Sequence, residues 1–156
     1  MSGASEDLTL RVCRFSELST GELYDLLQLR VSVFVVEQQC PYPELDGLDQ
    51  AALHVWLEDE NGIQAYLRIM DRNESRPYVS IGRVLAVRRR QGLATKLLRE
   101  AIRLAQEVFH AEDVYLEAQV YARSLYEKLG FRQISEEFLE DGIPHVKMLL
   151  DCGDHA

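Results

Sequence analysis

Val84-Leu85-Ala86-Val87-Arg88-Arg89-Arg90-Gln91-Gly92-Leu93-Ala94-Thr95 is the stretch on which the fold turns. An apolar, β-branched run over residues 78–87, broken by Gly82, reads as a strand. Three arginines and a glycine follow it, and then a helix begins. Leu93, Leu97, Ala101, Leu104 and Val108 recur at intervals of three or four residues, which predicts a long amphipathic helix. The free N–H groups at a helix start, together with the positive end of its dipole, form an anion site. A glycine there lets an anionic group approach the backbone closely. The dipole alone contributes about 0.3–1 kcal/mol at an exposed site, so the side-chain cations matter too. Two readings stand side by side for this loop: a polyphosphate site and a solvated basic turn. It carries neither a Walker A GxxxxGK[ST] nor a dinucleotide GxGxxG.

After the long helix, residues 113–120 (DVYLEAQV) read as a buried strand and residues 122–129 as a short helix stopped at Gly130. Strands over 131–139 and 143–150 are joined around Asp141-Gly142, a strong hairpin signal. Before the arginine loop, residues 8–14 predict a strand. Ser19 and Glu22 have capping-box spacing, and Leu23, Leu26, Leu27, Arg30 and Phe34 recur at helical spacing behind them. Cys40-Pro41-Tyr42-Pro43 stops that helix, and a polar loop runs to about residue 50. Residues 52–58 and 63–70 form a predicted hairpin. In the short helix Tyr126 sits on the flank next to Leu125 and Leu129. A phenol there suits a thiolate leaving group as proton donor; the alternative is an amphipathic core tyrosine.

The 156 residues predict a single domain, 1–156 with its core at about 8–150. Its 17 Lys+Arg against 26 Asp+Glu leave a net charge of −9. This argues against a general nucleic-acid binder or an anionic-membrane binder, and mildly favours cationic partners such as amines. Cys13, Cys40 and Cys152 make an odd count without metal-like spacing, which points to a reducing compartment. With no apolar run near the roughly 20 residues that span a bilayer, the expectation is a soluble cytoplasmic protein. His54, His110 and His155 lack partners at metal-like spacing, so no metal is expected.

Arg89-x-x-Gly92-x-Ala94 resembles the [Q/R]-x-x-G-x-[G/A] acyl-CoA signature of the GNAT N-acetyltransferase superfamily. Ala122…Leu125-Tyr126…Gly130-Phe131 is similar to that family's A-x-x-L-Y-x-x-x-G-F segment. Three further stretches resemble the bacterial ElaA-like branch. The first is Leu29-Arg30 through Val33-Phe34-Val35-Val36-Glu37-Gln38 with Cys40-Pro41-Tyr42. The others are Ile81-Gly82-Arg83-Val84 and Glu140-Asp141-Gly142-Ile143-Pro144-His145. The resemblance implies an α+β fold with a seven-stranded, mostly antiparallel sheet flanked by about four helices. It also implies an acetyl-CoA-dependent N-acetyltransferase that transfers the acetyl group directly to a primary amine in a ternary complex. The other reading is a GNAT-fold acyl-CoA-binding or regulatory module without robust catalysis.

On the same resemblance, backbone groups of Leu85, Ala86 and Val87 would hold the pantetheine arm. Arg89 and the amides of Arg90, Gln91, Gly92, Leu93, Ala94 and Thr95 would hold the pyrophosphate. The stretch between Val87 and Arg89 is about two residues shorter than the common family loop, which shifts the register of these contacts. Gln119 stands where many members carry an asparagine that contacts coenzyme A. Tyr126 matches the general acid. Base candidates are Glu117, Glu37 and His145, beside proton removal through ordered water. Glu37, Asp46 and Asp49 gather where the family forms part of its acceptor wall, and Arg68 and Arg83 are expected to pair with Glu37 or Glu117. Trp56 reads as core or as a hydrophobic acceptor wall. The acceptor and the oligomeric state, monomer or homodimer, are not encoded in any single motif.

Overall fold

The computed structural model describes residues 7–87 and 92–152. Its elements in chain order are β1 (Thr9–Arg14), α1 (Thr20–Val31), β2 (Leu53–Asp59), β3 (Gly62–Met70), β4 (Val79–Ala86), α2 (Leu93–Phe109), β5 (Asp113–Gln119), α3 (Arg123–Lys128), β6 (Arg132–Gln133), β7 (Phe138–Glu140) and β8 (Ile143–Asp151). The eight strands form a mixed sheet in the order β1-β2-β3-β4-β5-β8-β6, with β7 also paired to β8. The described residues fall into two compact units, one running to Arg68 and from Arg83 to Leu97, the other comprising Ile69–Gly82 and the chain after Leu97.

In the first unit β1 runs antiparallel to β2, with Cys13 opposite His54 and Arg11 opposite Trp56. The capping box of α1 forms as its spacing predicts. Ser19 Oγ accepts from the Glu22 amide at 3.0 Å, and Glu22 Oε1 accepts from the Ser19 amide at 2.9 Å. Two orphan donors are thereby satisfied at the helix start. Past Val31 the helix continues as a π-helix, Ser32–Glu37. Leu26, Trp56, Tyr66 and Leu85 build the core of this unit, with Val33, Phe34 and Ile63 packed on them. Each such buried side chain contributes about 1.5–3 kcal/mol. Trp56 is therefore a core residue, 1% exposed, its indole N–H donating to Glu58 Oε1 at 2.7 Å.

In the second unit β4 runs parallel to β5, Val79 opposite Val114 and Ser80 opposite Tyr115. Strand β8 lies antiparallel on the other side of β5. Alternation divides β5 cleanly: Val114, Leu116 and Ala118 are buried, while Tyr115, Glu117 and Gln119 are not. The buried set shares its sheet face with Val146 and Met148 of β8. Asp141 and Gly142 take φ values of 53° and 81°, the conformation a two-residue hairpin requires.

The strand expected over 131–139 is instead two short ones. At the break the Lys147 amide donates to Ser135 Oγ, and Ser135 Oγ itself donates to the Glu136 carbonyl. A serine side chain thus takes the place of a ladder partner and interrupts the pairing. Among the described residues there are three α-helices, against the expected number of about four. No helix among the described residues is long and apolar enough to cross a membrane.

Candidate active site

The start of α2 carries the first candidate feature. Gly92 has φ +72°, and its carbonyl accepts the first intrahelical bond, from the Lys96 amide at 3.0 Å. The amides of Gly92, Leu93, Ala94 and Thr95 therefore have no acceptor within the helix. Nothing lies within 4 Å of the position a Cβ would take on Gly92. The glycine is required by its backbone angle, not by crowding. Arg89, Arg90 and Gln91 lie outside the described residues. In the strand before them, Leu85 points into the core at 4% exposure, and the Val87 amide donates to the Gln64 carbonyl at 2.8 Å. Leu85 therefore offers backbone rather than side chain to any ligand.

Tyr126 lies in α3 at 7% exposure, its ring edge-on to Phe131 with centroids 6.0 Å apart. Its carbonyl takes the amides of Leu129 and Phe131 at 3.0 and 3.1 Å, which fixes the helix end under the ring. Burial, with Tyr121 as a lesser influence, pushes the phenol above the usual tyrosine range. The hydroxyl consequently keeps its proton at any working pH, as a hydrogen-bond donor must.

Three predicted residues meet on one face of the second unit. Gln119 sits directly opposite His145 in the β5–β8 register, with Glu117 opposite Lys147 two residues along. His145 is buried and stacks on Phe138 at 6.0 Å. Its Nδ1 lies 2.7 Å from the Ile143 carbonyl. A carbonyl only accepts, so Nδ1 carries the hydrogen and Nε2 the lone pair. Glu140 Oε2 is 4.0 Å from Nε2. Glu117 is exposed and accepts from the Tyr115 hydroxyl at 2.7 Å. Glu37 is exposed at the end of the π-helix in the first unit.

The acidic loop of the first unit departs from expectation. Asp46 and Asp49 are not an open cation-attracting wall. Arg68 donates to Asp46 at 2.5 Å and to Asp49 at 2.9 Å, and Arg30 donates to Asp49 at 2.6 Å. Arg68 and Arg83 therefore pair with this loop, not with Glu37 or Glu117; Arg83 reaches Glu44 Oε2 at 2.6 Å. Glu44 is the hub, also taking Arg30 at 2.7 Å on the same oxygen and the Tyr42 hydroxyl on the other. Three arginines meet three carboxylates, so the cluster is formally neutral. Burial alone would raise the Asp49 carboxyl, but the hydrogen bond and charge of Arg30, with Arg68, hold it below the usual range. His54 closes the network: its Nε2 lies 3.0 Å from the Asp49 carbonyl and its Nδ1 2.7 Å from the Tyr66 hydroxyl. The carbonyl requires hydrogen on Nε2, and burial favours the neutral ring, in which Nδ1 accepts from the Tyr66 hydroxyl.

No motif or spacing in the sequence marks Glu44, and Arg30 stands out only by its helical spacing. A signal existed for Arg30, which occupies the apolar stripe of α1, where a cation is stable only if paired.

Comparison with known proteins places these features in a family. The model of the acetyltransferase (GNAT) domain matches residues 22–152. The ElaA protein of Escherichia coli is 39% identical over 139 residues, covering 85% of this chain and 90% of its own. Its crystal structure superposes with a TM-score of 0.86 over 92% of this chain and 99% of the other, at 34% identity. An acyl-CoA N-acyltransferase from Pseudomonas aeruginosa is 38% identical with a TM-score of 0.85, covering 91% of this chain and 99% of its own.

Proposed function

Because the chain belongs to the GNAT acetyltransferase family, we propose that it transfers an acetyl group from acetyl-CoA directly to a primary amine. The observation that carries this reading is the left-handed Gly92 capping α2, with four amides outside the helix's own bonding. Such a terminus fits a diphosphate, whose oxygens accept from amides and whose charge meets the dipole's positive end. Gly92, Leu93, Ala94 and Thr95 would hold that group, Arg89, Arg90 and Gln91 would add to it, and backbone groups of Leu85, Ala86 and Val87 would hold the pantetheine arm. Gln119 would contact the coenzyme as well. Acetyl-CoA, when bound, supplies an activated thioester.

The chain's own residues then manage protons. A protonated alkyl amine has a pKa near 10 and must lose its proton before it attacks. Among Glu117, Glu37 and His145, the histidine has the most suitable chemistry. The Ile143 carbonyl fixes its tautomer and leaves the lone pair on Nε2. Tyr126 serves the departing sulfur. A thiol has a pKa near 8.5, below that of a phenol raised by burial. Tyr126 is the proposed general acid, its hydroxyl donating toward the departing sulfur from about 3 Å.

Thermal unfolding with and without acetyl-CoA tests the reading. Ligand at 100 times Kd stabilises a one-site protein by about 2.7 kcal/mol, and absence of any shift at saturating ligand overturns it. Thiol release is then measured over polyamines, aminoglycosides, amino acids and N-terminal peptides. Stabilisation by acetyl-CoA without release on any amine would instead leave an acyl-CoA-binding module.

A further inference from the structure

Within Ile81-Gly82-Arg83-Val84, one residue departs from strand geometry. Arg83 lies inside β4 with φ +55°. That region is unfavourable for an L side chain and persists only where the surroundings hold it, commonly as the kink of a bulge. Here the surroundings are explicit. Arg83 Nε donates to Glu44 Oε2 at 2.6 Å, and Nη2 donates to the Glu44 carbonyl at 3.1 Å and to Asp46 Oδ2 at 3.3 Å. The guanidinium also lies 5.8 Å from the centre of the Tyr42 ring. Glu44 cannot swing away to release it, being 3% exposed and held by Arg30 and by the Tyr42 hydroxyl.

We propose that Arg83 is a positioning residue: its grip on Glu44 holds the left-handed kink of β4 and so aims the backbone of Leu85, Ala86 and Val87 at the coenzyme. The inference rests on the reading of that strand as the acyl-CoA strand. The kink immediately precedes those residues, Leu85 continuing into the core and the Val87 amide onto the Gln64 carbonyl. The loop over 40–51 is thereby tied to the same strand that would hold the pantetheine arm.

Two substitutions separate the kink from the grip. Arg83→Ala removes the grip and leaves an L side chain that disfavours the left-handed region, so β4 relaxes. Arg83→Gly removes the grip but accepts the kink without strain. Binding of coenzyme A is read by titration calorimetry, and the 40–51 loop by amide hydrogen exchange without ligand. Exchange across 40–51 is expected to quicken in both variants. Coenzyme A affinity is expected to fall about tenfold in Arg83→Ala, the scale of a relaxed left-handed residue, and to stay within about twofold in Arg83→Gly. Equal affinities in the two variants, both lowered or both unchanged, overturn the proposal, as does unaltered exchange. Arg83→Ala leaves Glu44 still paired with Arg30, so the fold is expected to survive. Should it not, Arg83→Asn replaces it, and its affinity is expected between those of wild type and the tenfold loss; a full loss overturns the proposal. A wild-type protein that does not bind coenzyme A removes the functional reading itself, and this inference with it, before any variant is compared.

Discussion

The Arg30 guanidinium donates to Asp49 Oδ1 at 2.6 Å with its own side chain wholly out of solvent. Arg68 shares that oxygen at 2.9 Å. Asp49 thus bridges two buried cations, one from α1 and one from β3, which Glu44 and Asp46 also pair. Replacing such a pair by apolar residues is often neutral, but removing one partner leaves an uncompensated charge and costs about 3–5 kcal/mol. Asp49→Ala is expected to destabilise the fold by that amount. Urea unfolding at neutral pH measures it, and a loss below about 1 kcal/mol would show that Glu44 and Asp46 suffice.

The same network sets the pH dependence. Burial, and the neighbouring charges of Arg30 and Arg68, hold His54 below its ordinary pKa of 6.5 despite the Asp49 carbonyl. The unfolded chain therefore binds the proton first, and stability falls as pH drops below about 6.5. Asp49, held below its ordinary 3.8, adds a second loss beneath that value. Both contributions have the same sign and are complete near neutrality. Urea midpoints between pH 7.5 and 5 are expected to decline for wild type. The His54→Asn variant, weaker throughout, is expected to show a flatter profile. An equal slope in both proteins would move the upper step to another group.

Gly92 makes a separable case. Its φ of +72° disfavours any side chain, yet a Cβ there would meet nothing within 4 Å. The cost of Gly92→Ala is then conformational alone, about 1–2 kcal/mol, and Gly92→Asn is expected to cost less because asparagine tolerates that region. Thermal unfolding of the ligand-free variants gives the order Gly, Asn, Ala. Ala equal to Gly would show that the capping turn relaxes without penalty.

Where local chemistry decides structure, the sequence was readable. The Ser19–Glu22 box, the buried stripe Leu93, Leu97, Ala101 and Leu104 and the Asp141-Gly142 hairpin each depend on neighbours within a turn or two, and each is present; only the stripe's last expected member, Val108, is exposed, with Phe109 buried in its stead. Where distant side chains decide, it was not. Glu44 and Arg83 are 39 positions apart, and no spacing rule joins them. The break between β6 and β7 depends on Ser135 capturing the amide of Lys147, 12 residues on. The fold of the candidate site was therefore legible from motif and periodicity. The network behind it follows from the pairing that buried charge demands, and its partners become visible only once the strands are in place.

Tyr126 gives the sharpest test of the chemistry. The phenol is buried, and burial raises its pKa above the tyrosine range, so it carries its proton wherever the enzyme works. Tyr126→Phe removes the hydroxyl while keeping the ring that packs edge-on against Phe131. Folding and coenzyme A affinity should change little. Turnover, measured by thiol release on an amine the screen identifies, is expected to fall about 100-fold, the lower end for a positioned proton donor. Because the phenol does not titrate near neutrality, the wild-type kcat profile should show no alkaline decline assignable to it below pH 10. The acid limb belongs to the amine and its base, and is expected to persist in Tyr126→Phe at the reduced rate. An unchanged kcat would return Tyr126 to a packing role, and loss of coenzyme A affinity at unchanged kcat would place its contribution in binding.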